Sequence, residues 1–505
     1  MHKTVFLLFF LFIFINCGIN KQKINHTLKE NEIKFVELKE KGNKEFKKMY
    51  WAGWKNAIDN YDKALKLKND NNIKQKLFYS LLLISIREKM FEVRNYNYLE
   101  RAKKLLPEID NELNKIYLEI AQEIVDISLL SEKHKAHRWV GFETFQKNLN
   151  LILKNINSDY LYYFYIEYLG NHATVKQFKQ FVQERENFSK KYPESNLGIE
   201  FARISEDIEK KLEKYPDFIE LILIQAEQLY RKGDFLQTEA KYKDIIKINY
   251  RVPAAHTGLG SIYFWLELYD EAIPYYNNAL SINPCFSKAL FGKAVSLHYK
   301  GNYEESNKMF SEIIEKQILY HGEAYYYTAF NNYYLKRYKE VDTNIKKAET
   351  YISDSIELNA FAGIFYYHSK KISKAETYFK KVLKQNNMHG DSYFYLGLID
   401  LKRKKNEIAF VKFHNAARFF LLSINRIEEK LQNVKNLKVS EIYKKKRKQK
   451  LKKYLKNIIK SNMESLLEII SVYKNGKNPK LKQINTIFNE IKNKYEKMEV
   501  ATSQR

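Results

Sequence analysis

Glycine and proline are scarce in this sequence, with 16 and 7 residues among 505. Both residues interrupt regular structure, so their scarcity favours long helices joined by short turns and argues against a sandwich or barrel of many strands. The length is enough for two or three ordinary domains or for one long array of repeats. The sequence therefore predicts an all-α fold.

Cysteine is scarcer still, with only Cys17 and Cys285. Two cysteines exclude a protein that is held together by a framework of disulfides. Cys285 follows Pro284 directly, and we interpret it as a small packed residue rather than a reactive thiol. If Cys17 is acylated, as proposed below, the chain has no partner with which Cys285 can form an internal disulfide.

The common catalytic motifs are also missing. The sequence contains no HExxH zinc motif, no phosphate-binding P-loop, no GxSxG nucleophile turn and no paired CxxC. His134 and His137 stand three residues apart on a predicted helix, but no third ligand accompanies them, so we interpret them as surface histidines rather than a metal site. We expect no enzymatic activity, no cofactor and no bound metal.

One long apolar run stands at the beginning of the chain, from Val5 to Ile15. At about 1.5 Å per residue it is too short to span a bilayer, and its length is typical of the apolar part of a signal peptide. Cys17 follows almost at once, and this arrangement resembles the signal peptide of bacterial lipoproteins, loosely matched as in spirochaetes. The resemblance implies that Cys17 carries lipid and anchors the chain in a membrane of the cell envelope, on a face that the sequence does not identify.

Basic residues exceed acidic ones by a wide margin. There are 87 Lys and Arg against 60 Asp and Glu, which gives a formal net charge of +27. Such an excess favours anionic partners such as nucleic acids, acidic proteins or charged surfaces, without choosing among them. The alternative is that the lysines only solvate helix faces.

A repeat of about 34 residues is clearest between Pro253 and Pro284. Within this stretch Gly260, Tyr263, Tyr269, Ala272, Tyr276 and Ala279 occupy the signature positions of the tetratricopeptide repeat, which this sequence resembles. The resemblance implies pairs of antiparallel helices stacked into a right-handed superhelical solenoid. In that family the small residues allow close helix contact and the aromatic residues fill the space between helices.

Three columns of residues keep this period over six consecutive units. The residues that open each second helix are Thr238, Ala272, Ser306, Val341, Ala375 and Ala409. The matching residues of the first helices are Ala226, Gly260, Ala294, Ala329, Gly363 and Gly397. Four residues after each opener stand Tyr242, Tyr276, Phe310, Ile345, Phe379 and Phe413. Glycines at 233 and 301 suit the turns between paired helices.

These patterns divide the chain into six segments. We predict a signal peptide at 1–17, a flexible tether at 18–36, degenerate repeat-like hairpins at 37–108, an irregular helical region at 109–218, six repeats at 219–422 and a basic helical extension at 423–505. From residue 423 onward we count 22 Lys and Arg against 8 Asp and Glu.

The resemblance also implies a binding surface, because the first helices of tetratricopeptide repeats line a concave groove. The groove residues carried over in this way are Tyr230, Phe264, Phe291, His298, Tyr326, Phe330, Tyr333, Tyr367 and Phe394. Such an aromatic strip suits an amphipathic helix or an extended apolar segment of another protein. The alternative is that these rings belong to the core between helices.

The extension contains a dense basic run and an apolar stripe at helical spacing. The basic residues are Lys444, Lys445, Lys446, Arg447, Lys448, Lys450, Lys452 and Lys453. One interpretation is a cap that covers the last apolar face of the solenoid, and the other is a basic arm for an anionic surface. Only Tyr443 and Tyr454 flank the run, so we do not expect nucleic acid as the ligand.

Two hypotheses about function follow. The first is a lipid-anchored scaffold of the cell envelope that binds partner proteins in the aromatic groove. The alternative is a surface adhesin or anionic-polymer-binding lipoprotein that acts through the basic helices.

Overall fold

The structure of the protein is a computed structural model. It describes residues 28–91, 93, 97–109, 111–129, 158–172, 175–192, 195–197, 208–316, 320–473 and 479–503. In these ranges the regular elements are α-helices and two short 3₁₀ helices, Leu106–Glu108 and Val434–Asn436, and there is no strand. No helix of the described chain combines the length and apolar character needed to cross a bilayer. Cys17, His134 and His137 lie outside the described residues.

The chain forms two compact units. One comprises Met1–Gln225 with Asp244–Ala254, and the other comprises Ala226–Lys243 with Ala255–Arg505. The boundary therefore lies within the first predicted repeat and not before it at residue 218.

The helices before the repeats begin within the predicted tether. They are α1 (28–46), α2 (Trp51–Leu65), α3 (Asn71–Met90), α4 (Asn97–Leu105), α5 (Glu112–Leu129), α6 (Asp159–His172), α7 (Val175–Lys191) and α8 (Ile208–Lys214). Because α1 starts at residue 28 and buries Phe35, which is only 4% exposed, the prediction of a flexible tether is wrong from residue 28 onward. The remainder of the predicted tether lies outside the described residues.

The first hairpin of this unit repeats a contact that recurs throughout the solenoid. A methyl group at Gly42 of α1 would lie 2.5 Å from the ring of Tyr61 on α2, so only glycine allows the two helices to approach this closely. Ala57, Tyr61 and Ala64 are fully buried. These residues lie in the segment 37–108, which the sequence identifies as degenerate repeat-like hairpins.

A buried ion pair forms the centre of the same unit. The Nε atom of Arg87 lies 3.2 Å from Oε1 of Glu220, and both side chains are nearly inaccessible to solvent. The Arg87 guanidinium also lies 5.6 Å from the Trp54 ring centroid and 5.4 Å from that of Tyr163. Burial raises the pKa of Glu220, while the neighbouring positive charge of Arg87 opposes that change. Removal of either partner would leave an uncompensated charge in the core.

Six helical hairpins make up the repeat region. Their helices are α9 (Ile219–Arg231), α10 (Phe235–Ile248), α11 (Pro253–Trp265), α12 (Tyr269–Ile282), α13 (Ser287–Lys300), α14 (Tyr303–Glu315), α15 (His321–Tyr334), α16 (Tyr338–Ile352), α17 (Ile356–His368), α18 (Ile372–Gln385), α19 (Gly390–Lys402) and α20 (Asn406–Asn433). The repeat region is thus an all-α array of tandem helical hairpins, as the sequence predicts.

The three sequence columns meet inside each hairpin. Methyl groups built at Gly260, Gly363 and Gly397 would lie 2.6–2.7 Å from the aromatic ring of the third column in the same hairpin. All six residues that open the second helices are completely buried. In these three hairpins the period in the sequence reflects one contact, in which a large ring of the second helix packs on a small residue of the first.

Each turn between paired helices contains one residue in the left-handed region. These residues are Gly233, Glu267, Gly301, Lys336, Lys370 and Lys404, with φ between 58° and 83°. They keep the 34–35-residue period although only two of them are glycines. The four others adopt a conformation that costs an L-residue about 1 kcal/mol or more.

The last repeat continues directly into the extension. The second helix of repeat six, α20, continues past the predicted end of the repeats at residue 422 to Asn433, and Ile424 and Ile427 extend its buried stripe by two turns. Helices α21 (Glu441–Tyr473) and α22 (Pro479–Ser503) follow. Leu455, Ile459 and Leu466 of α21 join the apolar cluster of α20, and so they cover the last repeat as a solenoid requires.

Candidate functional site

The predicted groove residues of repeat four surround a ring that the sequence does not single out. Tyr326, Phe330 and Tyr333 of α15 lie with their ring centroids 6.2, 5.0 and 5.9 Å from that of Phe361 on α17. Phe361 is only 7% exposed, whereas the three α15 side chains are half-buried. These rings therefore both join neighbouring repeats and retain accessible surface.

The other half-buried groove residues are distributed along the array. Phe291 stacks on Tyr320 at 4.5 Å, and the Tyr367 ring lies 4.4 Å from the ammonium group of Lys402. Tyr230 and Phe264 each contact an aromatic residue at the start of the following helix, Phe235 and Tyr269. The four groove residues Tyr230, Phe264, Phe291 and Tyr367 are partly accessible to solvent.

Two of the predicted groove residues contribute little or no surface. Phe394 is 6% exposed and packs against Phe413 and Phe420. His298 is 7% exposed, and its Nδ1 lies 2.6 Å from the Asn331 side-chain oxygen. Helical spacing places both residues on the correct face, but neighbouring helices cover them.

His298 belongs to a buried polar network between repeats three and four. The Asn331 amide nitrogen donates to the Ser306 hydroxyl at 3.0 Å and to the Asn307 side-chain oxygen at 2.8 Å. The Asn331 oxygen is therefore the acceptor from His298, so Nδ1 of the imidazole carries the proton. Burial lowers the pKa of His298, and the hydrogen bond to Asn331 partly opposes this change.

An exposed aromatic ladder flanks the groove residues at the turns between paired helices. In repeats two, three and four, the aromatic residue at the end of the first helix packs on the aromatic residue that begins the second helix of the preceding repeat. The pairs are Trp265 with Phe235 at 4.6 Å, Tyr299 with Tyr269 at 5.2 Å, and Tyr334 with Tyr303 at 5.0 Å. Trp265, Tyr299 and Tyr334 are 46%, 53% and 52% exposed.

The ladder is continuous with the predicted groove. The Tyr334 ring centroid lies 5.3 Å from Phe330 and 5.9 Å from Tyr333, and that of Tyr299 lies 6.3 Å from Phe264. Sequence reasoning misses this column, although its spacing of 34 and 35 residues is visible. Aromatic residues that are half-exposed and mutually supported are well suited to binding, because little side-chain entropy remains to be lost.

The extension folds back over the turns of the first two repeats. The backbone N–H of Leu236 donates to the Lys438 carbonyl at 2.7 Å, and the Lys438 ammonium lies 3.0 Å from an Asp234 carboxylate oxygen. Burial alone would raise the pKa of Asp234, but hydrogen bonds from Lys438 and Gln237 lower it overall.

Three of the predicted basic residues take part in this contact. Arg447 pairs with Glu267 at 2.7 Å, Lys446 pairs with Glu271, and the Lys450 ammonium donates to the Glu267 carbonyl. Lys450 also lies 4.7 Å from the Tyr269 ring centroid. Lys444 pairs with Glu441 of its own helix at 2.8 Å. Lys445, Lys448 and Lys453 are exposed, and Lys452 is half-buried.

The described residues offer no group of three or more His, Cys, Asp or Glu side chains that could hold a metal ion. Cys285 is half-buried and its thiol is free.

The described helices define a class of fold, a tandem array of antiparallel helical hairpins. Residues 253–284, which correspond to the α11–α12 hairpin, match the family model of the tetratricopeptide repeat.

Several solved structures of repeat proteins resemble the chain in part. YrrB, described as a tetratricopeptide-repeat protein with an unusual peptide-binding site, is 17% identical with a TM-score of 0.31, over 35% of this chain and 91% of that one. PilW, described as a type IV pilus biogenesis factor, is 16% identical with a TM-score of 0.35, over 46% and 97%. A repeat protein of Parabacteroides merdae is 14% identical with a TM-score of 0.32, over 61% and 98%. No curated protein was found to match the chain.

Proposed function

We propose that this protein is a non-enzymatic scaffold that binds partner proteins along the aromatic surface of its repeats. The observation that carries the proposal is the aromatic ladder, whose outer rings at Trp265, Tyr299 and Tyr334 are about half exposed beside the half-buried groove residues. Isolated exposed apolar residues are common, but a regular row of them is normally covered or used.

The partner that fits this surface is an apolar or amphipathic segment. The outer rings at Trp265, Tyr299 and Tyr334 recur every 34–35 residues in repeats two, three and four, so a bound segment would meet a similar aromatic contact at each of these three repeats. Side-chain hydroxyls at Tyr299 and Tyr334 can additionally hydrogen-bond to a peptide. An amphipathic helix or an extended apolar stretch would satisfy both features.

Site-specific crosslinking in intact cells tests this proposal. A photoreactive phenylalanine analogue would replace Tyr334, and in a matched control it would replace Tyr351, a 61% exposed tyrosine on the second helix of the same repeat. We expect protein crosslinks from position 334 and few from position 351. Equal crosslinking from both positions, or none from 334, would contradict binding at the ladder.

A substitution experiment separates binding from folding. Tyr299→Ser with Tyr334→Ser removes two outer rings, whereas Tyr326, Phe330 and Tyr333 pack around Phe361 and their loss would disturb the core. We expect the double variant to lose the crosslinked partner while its circular dichroism and melting temperature stay close to those of the parent. A variant that keeps its partner would move the binding site elsewhere on the chain.

We further propose that the scaffold is anchored in the cell envelope through lipid on Cys17. The support is the sequence alone, namely the apolar run from Val5 to Ile15 followed by the cysteine. Metabolic labelling with an alkyne-bearing fatty acid should modify the wild-type chain and not the Cys17→Ser variant. Labelling that survives this substitution would exclude Cys17 as the attachment point.

A further inference from the structure

The basic residues of α21 divide between two faces with different electrostatic surroundings. On the face toward the repeats, Lys446, Arg447 and Lys450 are matched by Glu271, Glu267 and a backbone carbonyl. On another face, Lys444, Lys448 and Lys452 follow one another at intervals of four residues, which aligns them along the helix. Among the described residues, the first face is matched by the repeats, whereas on the second face only Lys444 has an acidic partner, Glu441 of its own helix.

The second face borders a cleft between α21 and the end of α20. The cleft has a volume of about 580 Å³, and its wall carries five lysines and one carboxylate, that of Glu441. The lysines are Lys435, Lys444, Lys445, Lys448 and Lys452. Glu441 pairs with Lys444 at 2.8 Å. In the described part of the chain no acidic side chain forms an ion pair with the other four lysines.

The cleft also has an apolar component. Leu431 and Val434 line it, and Val434 is almost fully buried. Five positive charges and one negative charge leave a local excess of four positive charges around a space of the size that small ligands occupy. An anion in the cleft would reduce the repulsion among these lysines.

We propose that this cleft binds a phosphate-bearing ligand of at least two negative charges. Lysine ammonium groups bind phosphate oxygens as point charges without requiring one planar geometry, which suits a cleft whose donors approach from two helices. The ligand could be a free phosphorylated compound or the headgroup of an anionic phospholipid, whose first carbons would then contact Leu431 and Val434. This proposal goes beyond the protein-binding function and does not depend on it, because the aromatic ladder takes no part in the cleft.

Calorimetric titration with inorganic tripolyphosphate tests the site directly. The variant is Lys445→Gln, Lys448→Gln and Lys452→Gln, and the matched control is Lys308→Gln, Lys339→Gln and Lys384→Gln, which removes three exposed lysines from the second helices of repeats three to five. The two triple variants carry the same net charge. We expect the cleft variant to bind tripolyphosphate at least about tenfold more weakly and the control to bind it like the parent.

The same three proteins, added to vesicles of phosphatidylcholine with roughly one third phosphatidylglycerol, distinguish the two sources of phosphate. If only the cleft variant loses vesicle binding, and tripolyphosphate displaces the parent from the vesicles, the ligand is the lipid headgroup. Binding of tripolyphosphate without vesicle binding identifies a free ligand. If both variants lost tripolyphosphate binding equally, net charge alone would explain the effect and the proposal would be overturned. A parent protein that does not bind tripolyphosphate would also overturn it.

Discussion

The Tyr443 hydroxyl donates a hydrogen bond to the Tyr263 hydroxyl at 3.0 Å, across 180 residues of chain. The Tyr263 hydroxyl in turn donates to a Glu239 carboxylate oxygen at 2.9 Å. This relay joins the start of α21 to the first two repeats, and the two tyrosine rings also meet edge to face at 5.0 Å. Burial and these hydrogen bonds raise the pKa of Tyr263 well above its usual value, so its hydroxyl remains protonated as the donor in the relay.

Removal of the outer hydroxyl should weaken this junction without disturbing its packing. We expect Tyr443→Phe to lower the free energy of unfolding by about 1 kcal/mol, because one hydrogen bond is lost while the ring remains. Urea denaturation measures the change. Tyr454→Phe, which alters a half-exposed tyrosine on the same helix, is the control and should have little effect. Equal effects of the two substitutions would argue against a specific relay.

The close contact between Gly363 and the Phe379 ring should also make stability sensitive to substitution. A methyl group at Gly363 would lie 2.6 Å from the Phe379 ring. Alanine favours the helix over glycine by about 1 kcal/mol, but overpacking costs about 1–3 kcal/mol, so we expect Gly363→Ala to destabilise the protein by about 1 kcal/mol net. In a Phe379→Leu background the same substitution should become neutral or stabilising. A double-mutant cycle by urea denaturation measures this coupling, and additive effects would contradict the close contact.

The repeat was predictable from the sequence because it rests on contacts within single hairpins. Gly363 and Phe379 stand 16 residues apart, and every hairpin places a small residue and a large apolar residue at these two positions, so the pattern accumulates over six units. The contact of Lys438 with Asp234 spans 204 residues and occurs once. Nothing periodic marks such a contact, and the sequence could therefore predict a basic extension but not the surface on which it folds.

The candidate site was predictable only in part. Helical spacing identifies the face on which Tyr333 and Phe394 lie, but the next helix decides whether a side chain is covered, and that depends on the packing angle between repeats. The ladder residue Tyr299 was overlooked because it lies one position beyond those taken from family resemblance.

The turns at Glu267, Lys336, Lys370 and Lys404 were missed for another reason, since their left-handed conformation occurs without the glycine that usually marks it.

These strained turns predict a stabilising substitution. Lys370 has φ near 58° and an exposed side chain, and glycine adopts that conformation without the steric cost of a Cβ atom. We expect Lys370→Gly to raise the free energy of unfolding by about 0.5–1 kcal/mol. Lys308→Gly, in the middle of the exposed face of α14, is the control and should lower it by a similar amount. Thermal and urea denaturation together measure both changes, and a loss of stability at position 370 would contradict the left-handed turn.

The buried imidazole of His298 should make stability depend on pH. Because burial lowers its pKa in the folded state, the unfolded chain binds the proton more readily, with an ordinary pKa of about 6.5. The contribution of the neutral side chain is therefore present above pH 6.5 and is lost progressively as the pH falls from about 6.5 towards the folded-state pKa. We expect the parent to lose stability over this interval more steeply than His298→Gln does.

The comparison must be made between variants, since burial also lowers the pKa of His389 and thus adds to the slope of the parent. His368→Gln, which replaces an exposed histidine in the same way, is the matched control for the substitution. Urea denaturation of all three proteins between about pH 5 and pH 8 measures the difference, and parallel curves for the parent and His298→Gln would show that the network tolerates a protonated imidazole. If only His298→Gln showed a weaker dependence of the free energy of unfolding on pH, the acid-sensitive contact would lie at the junction of repeats three and four, where His298 meets Asn331.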